Sequence, residues 1–331
     1  MKELEVFGAN VYLHDEGEQR AVLAHAVLPW AGPLFASGDL PFFLYDHYDA
    51  RGPHLSLFFA APAPRRPALA EALARCLERA LAAAEERGVQ QPLLTPGQLE
   101  TRHAACRGRV QNPADREEGF PPPGSFLPFL QEFARSPFRL GAATADGDAF
   151  LALWRELCRA TAARMGADPR PDWRGAVVLV ATLGRALAAE GKHPGVLFRR
   201  DAAALLPNLA GRLEKDGETA AFASVARLVT ARNAAAFTGW WRDELPGALA
   251  PAALRALVRA AVGNGGGAWD DDHPAVPPLR ELLHFSLKGL GLQGIQQIPL
   301  VLHAWRQWLP GGPEETKTFG IETCPSCWSS S

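Results

Sequence analysis

Side chains that can transfer protons are concentrated in one short stretch near the start of the chain. Tyr45, His47 and Tyr48 lie in one strand-like run, and His54 and Ser56 follow after a turn. Successive side chains of a strand point to opposite faces, so Tyr45 and His47 share one face and Tyr48 lies on the other. A second strand that pairs across the turn brings His54 within reach of one of these sets. Phenol and imidazole groups can polarise a carbonyl or move a proton near neutral pH.

The same spacing is also typical of half-buried sheet residues whose polar tips reach solvent. Both interpretations of the cluster therefore stay open at this point. The difference between them is whether the surrounding elements build a cavity next to these side chains.

The first 90 residues predict a compact β-α-β-β-α unit. Residues 5–14 alternate as a strand does, and residues 19–30 have helical spacing up to Pro29. Strand-like runs at 42–45 and 54–59 are separated by turn residues that include Gly52, so they should pair as a hairpin. A second helix, predicted from residue 67 to residue 87, is stopped by a glycine and should cover one face of the sheet.

The remainder of the chain is predicted to be mainly helical. Residues 91–145 lack a periodic pattern and are interpreted as a linker or a long active-site loop. Residues 146–309 form a helical portion, and residues 310–331 form a polar, flexible tail. Helices are predicted at 146–165, 172–189, 201–215, 219–237, 251–262, 277–287 and 293–308, several of which open with Asp or Pro. The predicted fold class is α+β, with the N-terminal sheet unit packed against the helical portion and an active cavity where they meet.

Composition, charge and motif content argue against several classes of function. The 331-residue chain has 34 Lys and Arg against 36 Asp and Glu, so its net charge of −2 offers no global field for a nucleic acid. The first 20 residues carry acidic side chains where a signal peptide is basic, and no apolar run approaches 18 residues, so we expect a cytoplasmic protein without membrane contact. The Cys324-x-x-Cys327 pair has no second pair to complete a zinc site, and the sequence carries no P-loop or Gly-x-Ser-x-Gly motif.

Two segments far apart in the chain carry a further pattern. The first comprises residues 41–45 (Pro-Phe-Phe-Leu-Tyr) and 52–59 (Gly-Pro-His-Leu-Ser-Leu-Phe-Phe), and the second comprises residues 284–292 (His-Phe-Ser-Leu-Lys-Gly-Leu-Gly-Leu). Together they resemble the beginning and the end of the small domain of split lantibiotic dehydratases, the thiopeptide-type bacteriocin biosynthesis family. Members of that family act on ribosomally synthesised, post-translationally modified peptides (RiPPs).

The resemblance implies one of several activities, and departures from the family pattern separate them. The glutamate-eliminating branch uses arginines in the strand after His-Leu and in an Arg-Tyr-Gly-Gly motif. Here Ser56 and Phe58 occupy the strand positions and the motif is missing, which argues against that branch because serine cannot bind a carboxylate as a guanidinium does.

A second branch, the pyridine synthases, joins two dehydroalanines by a formal aza-[4+2] cycloaddition with loss of water and the leader peptide. A third, the peptide aminoacyl-tRNA ligases, needs a tRNA partner that the near-neutral charge disfavours.

The resemblance to the pyridine synthases implies an enzyme without cofactor or metal that acts on a modified precursor peptide, leader and core, alongside companion RiPP enzymes. A tRNA partner applies only to the ligase alternative, and a non-catalytic leader-binding protein is the third possibility. We expect the leader to bind within residues 1–90. A cycloaddition needs a shaped cavity and a few donors. The candidate catalytic residues are His54, Tyr48, Tyr45, Ser56 and His284, with His47 and Gln296 as candidate substrate contacts.

Overall fold

The computed structural model describes most of the chain outside a long internal stretch and the C-terminal tail. The described residues are 4–48, 51–87, 94–105, 112–168, 170–198, 236–263, 268–270, 272–292, 297, 300, 303–304 and 308. Three predicted helices lie wholly or mostly outside the described residues: 201–215 entirely, and most of 219–237 and of 293–308. The candidate residue Gln296 and the tail with Cys324 and Cys327 also lie outside them.

The chain divides into two compact units. Unit 1 comprises Met1–Pro171 and His284–Gly291, and unit 2 comprises Asp172–Leu283 and Leu292–Ser331. This division differs from the ranges expected from the sequence, because unit 1 extends well beyond residue 90 and takes in a segment close to the C-terminus.

Unit 1 contains a four-stranded antiparallel sheet. Its strands are β1 (Leu4–Tyr12), β2 (Phe42–Tyr48), β3 (His54–Pro62) and β4 (Ser125–Glu132), in the order β2-β3-β1-β4. The structure contains the predicted hairpin, in which Tyr48 lies opposite His54 and Asp46 lies opposite Ser56. The α+β class predicted from the sequence is confirmed by this sheet and the mainly helical remainder.

One long helical run follows β1 and continues past the predicted end at Pro29. It consists of α1 (Glu16–Val22), a π-helical turn (Leu23–Val27) and α2 (Leu28–Ser37). Proline lacks an N–H and its ring clashes with the carbonyl four residues earlier, which normally ends or kinks a helix. Here the wider π turn lies directly before Pro29, and the Leu28 N–H donates to Leu23 O, five residues back, so the helical path continues.

The other helices of unit 1 are α3 (Arg66–Glu86), α4 (Pro96–Ala105), α5 (Arg139–Ala142) and α6 (Gly147–Ala167). The α3 and α6 helices agree with the prediction, and the Asp146 side chain caps α6 by accepting from Ala149 N at 3.1 Å. The apolar face of the sheet packs with α1, the π turn, α2 and α3 into one core that includes Phe7, Phe43 and Phe59.

The segment expected to be a linker or loop, residues 91–145, instead supplies part of the sheet. It contains α4, a 3₁₀ turn (Pro113–Arg116), β4 and a second 3₁₀ turn (Phe133–Arg135). The sequence of β4 does not alternate cleanly and includes Pro128, which is typical of a non-strand. An edge strand tolerates proline because one side of its backbone needs no ladder partner, and β4 is at the edge of this sheet.

Unit 2 is helical in its described part. Helix α7 (Trp173–Ala189) begins after Asp172, whose carboxylate accepts from Gly175 N at 2.7 Å. Helix α8 (Pro251–Val262) has the predicted bounds, and α9 (Val276–Gly289) runs from unit 2 into the residues grouped with unit 1. None of the helices in the described part of the chain is both long and apolar enough to cross a membrane.

Candidate functional site

The sheet of unit 1 has one apolar face and one face with buried polar side chains. Residues of the apolar face, such as Ala9, Leu57 and Tyr45, belong to the helix-packed core. Because side chains alternate along a strand, His54 and Ser56 of β3 lie on the opposite face, next to Asn10 of β1. This second face, which we call the polar face, holds two of the candidate catalytic residues.

The polar face is organised around Asn10, whose side chain is completely buried. Its Oδ1 accepts from Ser56 Oγ and from Asn112 Nδ2, both at 2.9 Å, and its Nδ2 donates to Asp115 Oδ1 at 2.9 Å. Each of these four side chains is at most 3% exposed. Buried polar groups are costly unless they are paired, so this network fixes the position of the Ser56 hydroxyl.

His54 is the imidazole of the polar face and is held from three sides. Its Nδ1 lies 2.8 Å from Gly52 O and its Nε2 lies 3.4 Å from Asp115 Oδ1. Because a carbonyl oxygen can only accept, Nδ1 carries a proton and donates a hydrogen bond to the carbonyl oxygen of Gly52. The Tyr12 ring packs on the imidazole with 4.9 Å between centroids, and burial raises the pKa of the Tyr12 phenol.

Arg51, on the hairpin turn, binds the loop that carries Asp115. Its Nη1, Nη2 and Nε donate to the carbonyl oxygens of Ala114 at 2.7 Å, Glu118 at 2.8 Å and Gly119 at 2.9 Å. Glu117 adds an ion pair at 3.3 Å. The Arg51 backbone is in the left-handed region, with φ of 60°, which costs a non-glycine residue about 1–3 kcal/mol. The guanidinium contacts offset that cost and keep the turn next to His54 in place.

Tyr45 lies on the other face, so the hairpin does not bring it to His54. Its hydroxyl donates to the carbonyl oxygen of Lys288 and also lies 3.2 Å from the sulfur of Met165. Burial raises the pKa of the Tyr45 phenol well above its usual value.

The two segments that carry the family resemblance meet through Lys288. Its ammonium group forms a buried ion pair with Asp46 of β2, while its carbonyl accepts from Tyr45. Both side chains of the ion pair are about 5% exposed, and the Lys288 Nζ lies 5.5 Å from the centroid of the Phe285 ring. The last turn of α9 therefore attaches to both faces of the edge strand β2.

The polar face resembles no metal site. Among the residues that the structure describes, no three His, Cys, Asp or Glu side chains converge closely enough to hold a metal ion. The arrangement can instead present a hydroxyl, an imidazole and a carboxylate to one region. These are groups that move protons.

A cavity of about 520 Å³ lies beside the sheet, between α3 and the edge strand β4. It is lined mainly by apolar side chains: Ala70, Leu73, Ala74, Leu77, Phe126, Pro128 and Leu130. Leu130 is 53% exposed, which is unusual for a large apolar side chain in a sheet. The groove is large enough to take side chains of a bound segment.

Comparison with solved structures gives an informative likeness. The fold resembles that of a pyridine synthase. One similar solved structure is TbtD, the pyridine synthase from thiomuracin biosynthesis, with a TM-score of 0.55 and 17% sequence identity over 97% of this chain and 100% of that one. No family model matches the sequence, and the search of curated proteins gives no match. At this identity the likeness to TbtD concerns the fold.

The structure places the other candidate residues as follows. His47 lies at a register position on the face of Tyr45, and Tyr48 lies opposite His54. His284 is half-buried in α9, with its ring 5.7 Å from that of Phe285. Their roles, like those of His54, Ser56 and Tyr45, stay predictions, as does the cavity expected between the sheet unit and the helical portion.

Several residues of the site were not among the sequence-based candidates: Asn10, Arg51, Asn112, Asp115 and Lys288. Two of them carry a local signal, because Asn10 interrupts an apolar strand and Lys288 is one of only five lysines in the chain. Arg51 lies in the hairpin turn. Asn112 and Asp115 lie in a segment without periodicity. Their proximity to β1 and β3 depends on a loop that returns to the sheet before β4.

Proposed function

We propose that this protein forms a six-membered nitrogen heterocycle in a RiPP precursor, by formal aza-[4+2] cycloaddition of two dehydroalanines. The observation that supports the proposal most is the likeness of fold to the pyridine synthase TbtD along nearly the whole of both chains. The family resemblance of residues 41–59 and 284–292 supports it independently, since it rests on sequence. The substrate is a ribosomally synthesised precursor peptide that companion enzymes have already modified.

The side chains of the polar face match the proton transfers that this reaction needs. One amide must react as its iminol tautomer, and after ring closure its oxygen leaves as water and the leader leaves as a carboxamide. Each leaving group takes up a proton, and positioned donors speed such steps. The His54 imidazole and the Ser56 hydroxyl are the donors that we assign to these steps.

The leader is expected to bind in unit 1, in the groove between α3 and β4, where an apolar segment can pack.

The experiment that tests this function uses purified protein and a synthetic precursor that carries its leader and two dehydroalanines. We expect mass spectrometry to show loss of water and of the leader, without ATP, tRNA or an aminoacyl-tRNA synthetase. A precursor with one dehydroalanine replaced by alanine is the matched control and should remain intact. Product that forms only with charged tRNA would instead identify a peptide ligase, and leader binding without any product would identify a non-catalytic binding protein.

His284→Ala and Tyr48→Phe are expected to slow ring formation while leaving the affinity for the leader unchanged. Each variant removes one proton-transferring group from the two segments that carry the family resemblance. Loss of a group that takes part in general acid-base catalysis lowers rates by about 10²–10⁴. Single-turnover rates and calorimetry with the leader give the two quantities, and a thermal melt verifies folding. Wild-type rates in both variants would remove these residues from the site.

A further inference from the structure

The polar face is closed in this structure by residues 112–124, which we call the cover loop. Its inner side chains, Asn112 and Asp115, bind Asn10, and the far end is tied by Gly124 N, which donates to Tyr12 O at 2.7 Å. Beneath it, His54 and Ser56 have no exposed surface. A substrate cannot reach either group while the loop holds this position.

The cover loop is held by polar contacts and very little apolar packing. Ala114 is the only fully buried apolar side chain among residues 112–124, and Phe120 is 38% exposed. Segments that bury few apolar groups open at lower free energy than the core to which they attach. By contrast, the opposite face of the same sheet is sealed by a core that includes Leu57, Phe59 and Leu77.

Arg51 carries the contacts most able to decide whether the loop is closed. Its guanidinium binds the loop through three carbonyl oxygens, those of Ala114, Glu118 and Gly119, and it pairs with Glu117. Hydrogen bonds from a charged group are stronger than neutral ones. The same residue stands three positions before His54, so the latch and the candidate donor share one turn.

The geometry points to the cover loop as a lid that opens from the polar face as a unit, with Arg51 as its latch, and thereby admits the peptide to His54 and Ser56. Opening is a property of the chain alone, whereas the admission of a peptide rests on the proposed function. The two parts are tested separately.

The first experiment measures opening without any substrate. Ser56→Cys places a thiol on the polar face, and two of the five native cysteines, Cys76 and Cys158, are buried elsewhere in unit 1. Alkylation of each thiol is followed by mass spectrometry in Ser56→Cys and in Ser56→Cys/Arg51→Gln. We expect the Arg51 substitution to speed modification at position 56 by about tenfold, the change expected from loss of charge-assisted hydrogen bonds. Because each thiol is compared with itself, differences in intrinsic reactivity cancel.

Cys76 and Cys158 are the internal control for unfolding. Their modification rates should change by less than about twofold, since a local opening leaves the helix-packed core closed. Equal acceleration at all three thiols, or no acceleration at position 56, would overturn the lid. If Ser56→Cys/Arg51→Gln does not fold, Arg51→Lys provides the same comparison, because lysine keeps the charge and loses the planar fork that reaches three carbonyls.

The second experiment concerns admission of the substrate. Backbone hydrogen exchange of the wild-type protein is measured with and without the bis-dehydroalanine precursor. We expect exchange within residues 112–124 to change when the peptide binds, while α6, which does not line the groove between α3 and β4, keeps its protection. Identical exchange in the cover loop at saturating peptide would show that the peptide does not enter there, even if the thiol experiment establishes that the lid opens.

Discussion

Asp46→Asn is expected to lower the free energy of unfolding by about 3–5 kcal/mol. The substitution leaves the Lys288 ammonium group buried without its carboxylate partner, in surroundings that include the Phe285 ring. Removing one member of a buried ion pair is costly because the remaining charge has lost both water and its counter-charge. Lys288→Met should be similarly destabilising, since it leaves the Asp46 carboxylate buried.

Urea unfolding followed by tryptophan fluorescence measures the effect. The double variant Asp46→Leu/Lys288→Met should recover most of the loss, because well-packed apolar residues replace a buried pair at little cost. The matched control is Glu71→Gln, which breaks the exposed ion pair with Arg75 and should leave the midpoint almost unchanged. If Asp46→Asn unfolds at the wild-type urea concentration, the pair does not hold the end of α9 to β2.

The second large effect is expected from His54→Gln, which should lower the rate of ring formation by about 10²–10⁴. Glutamine can still donate a hydrogen bond to Gly52 O but cannot take up and release a proton as imidazole does. If His54 supplies protons to the leaving groups, the rate falls while the leader binds as before. Single-turnover assays and leader calorimetry separate the two quantities.

His25→Gln is the matched control, because His25 is exposed and lies in the π turn, away from the polar face. It should react at the wild-type rate. A structural histidine gives a different pattern: its loss lowers the melting temperature and the activity together, because buried groups such as Asp115 and the Gly52 carbonyl lose one of their contacts. Wild-type turnover in folded His54→Gln would exclude it as a proton donor.

The elements near the N-terminus were predictable because their signals are local. The alternation in β1 and β3, the turn at Gly52 and the apolar spacing of α3 are each contained in about twenty residues. The sharing of faces in the hairpin follows from the same period of two, which puts His54 and Ser56 on one face of β3.

The rest of the site depends on pairings that no local pattern contains. Asn10 and Asp115 are 105 residues apart, and Asp46 and Lys288 are 242 residues apart. The continuation of the helix through Pro29 was also not predictable. The rule that proline ends a helix assumes α-helical geometry up to Pro29, and here a π turn comes before it. Long-range contacts of this kind are decided by tertiary packing.

Pro128 has a consequence for the behaviour of the protein at high concentration. It lies in the middle of the edge strand β4, whose only strand partner in the described part of the chain is β1. A strand of a second molecule added at this edge would lack one hydrogen bond, because Pro128 has no backbone N–H to donate. The charged Glu132 at the end of β4 further disfavours such pairing. At the opposite edge, β2 is joined on both faces by the end of α9. Each edge of the sheet thus carries a feature that hinders its pairing with a strand of a second molecule.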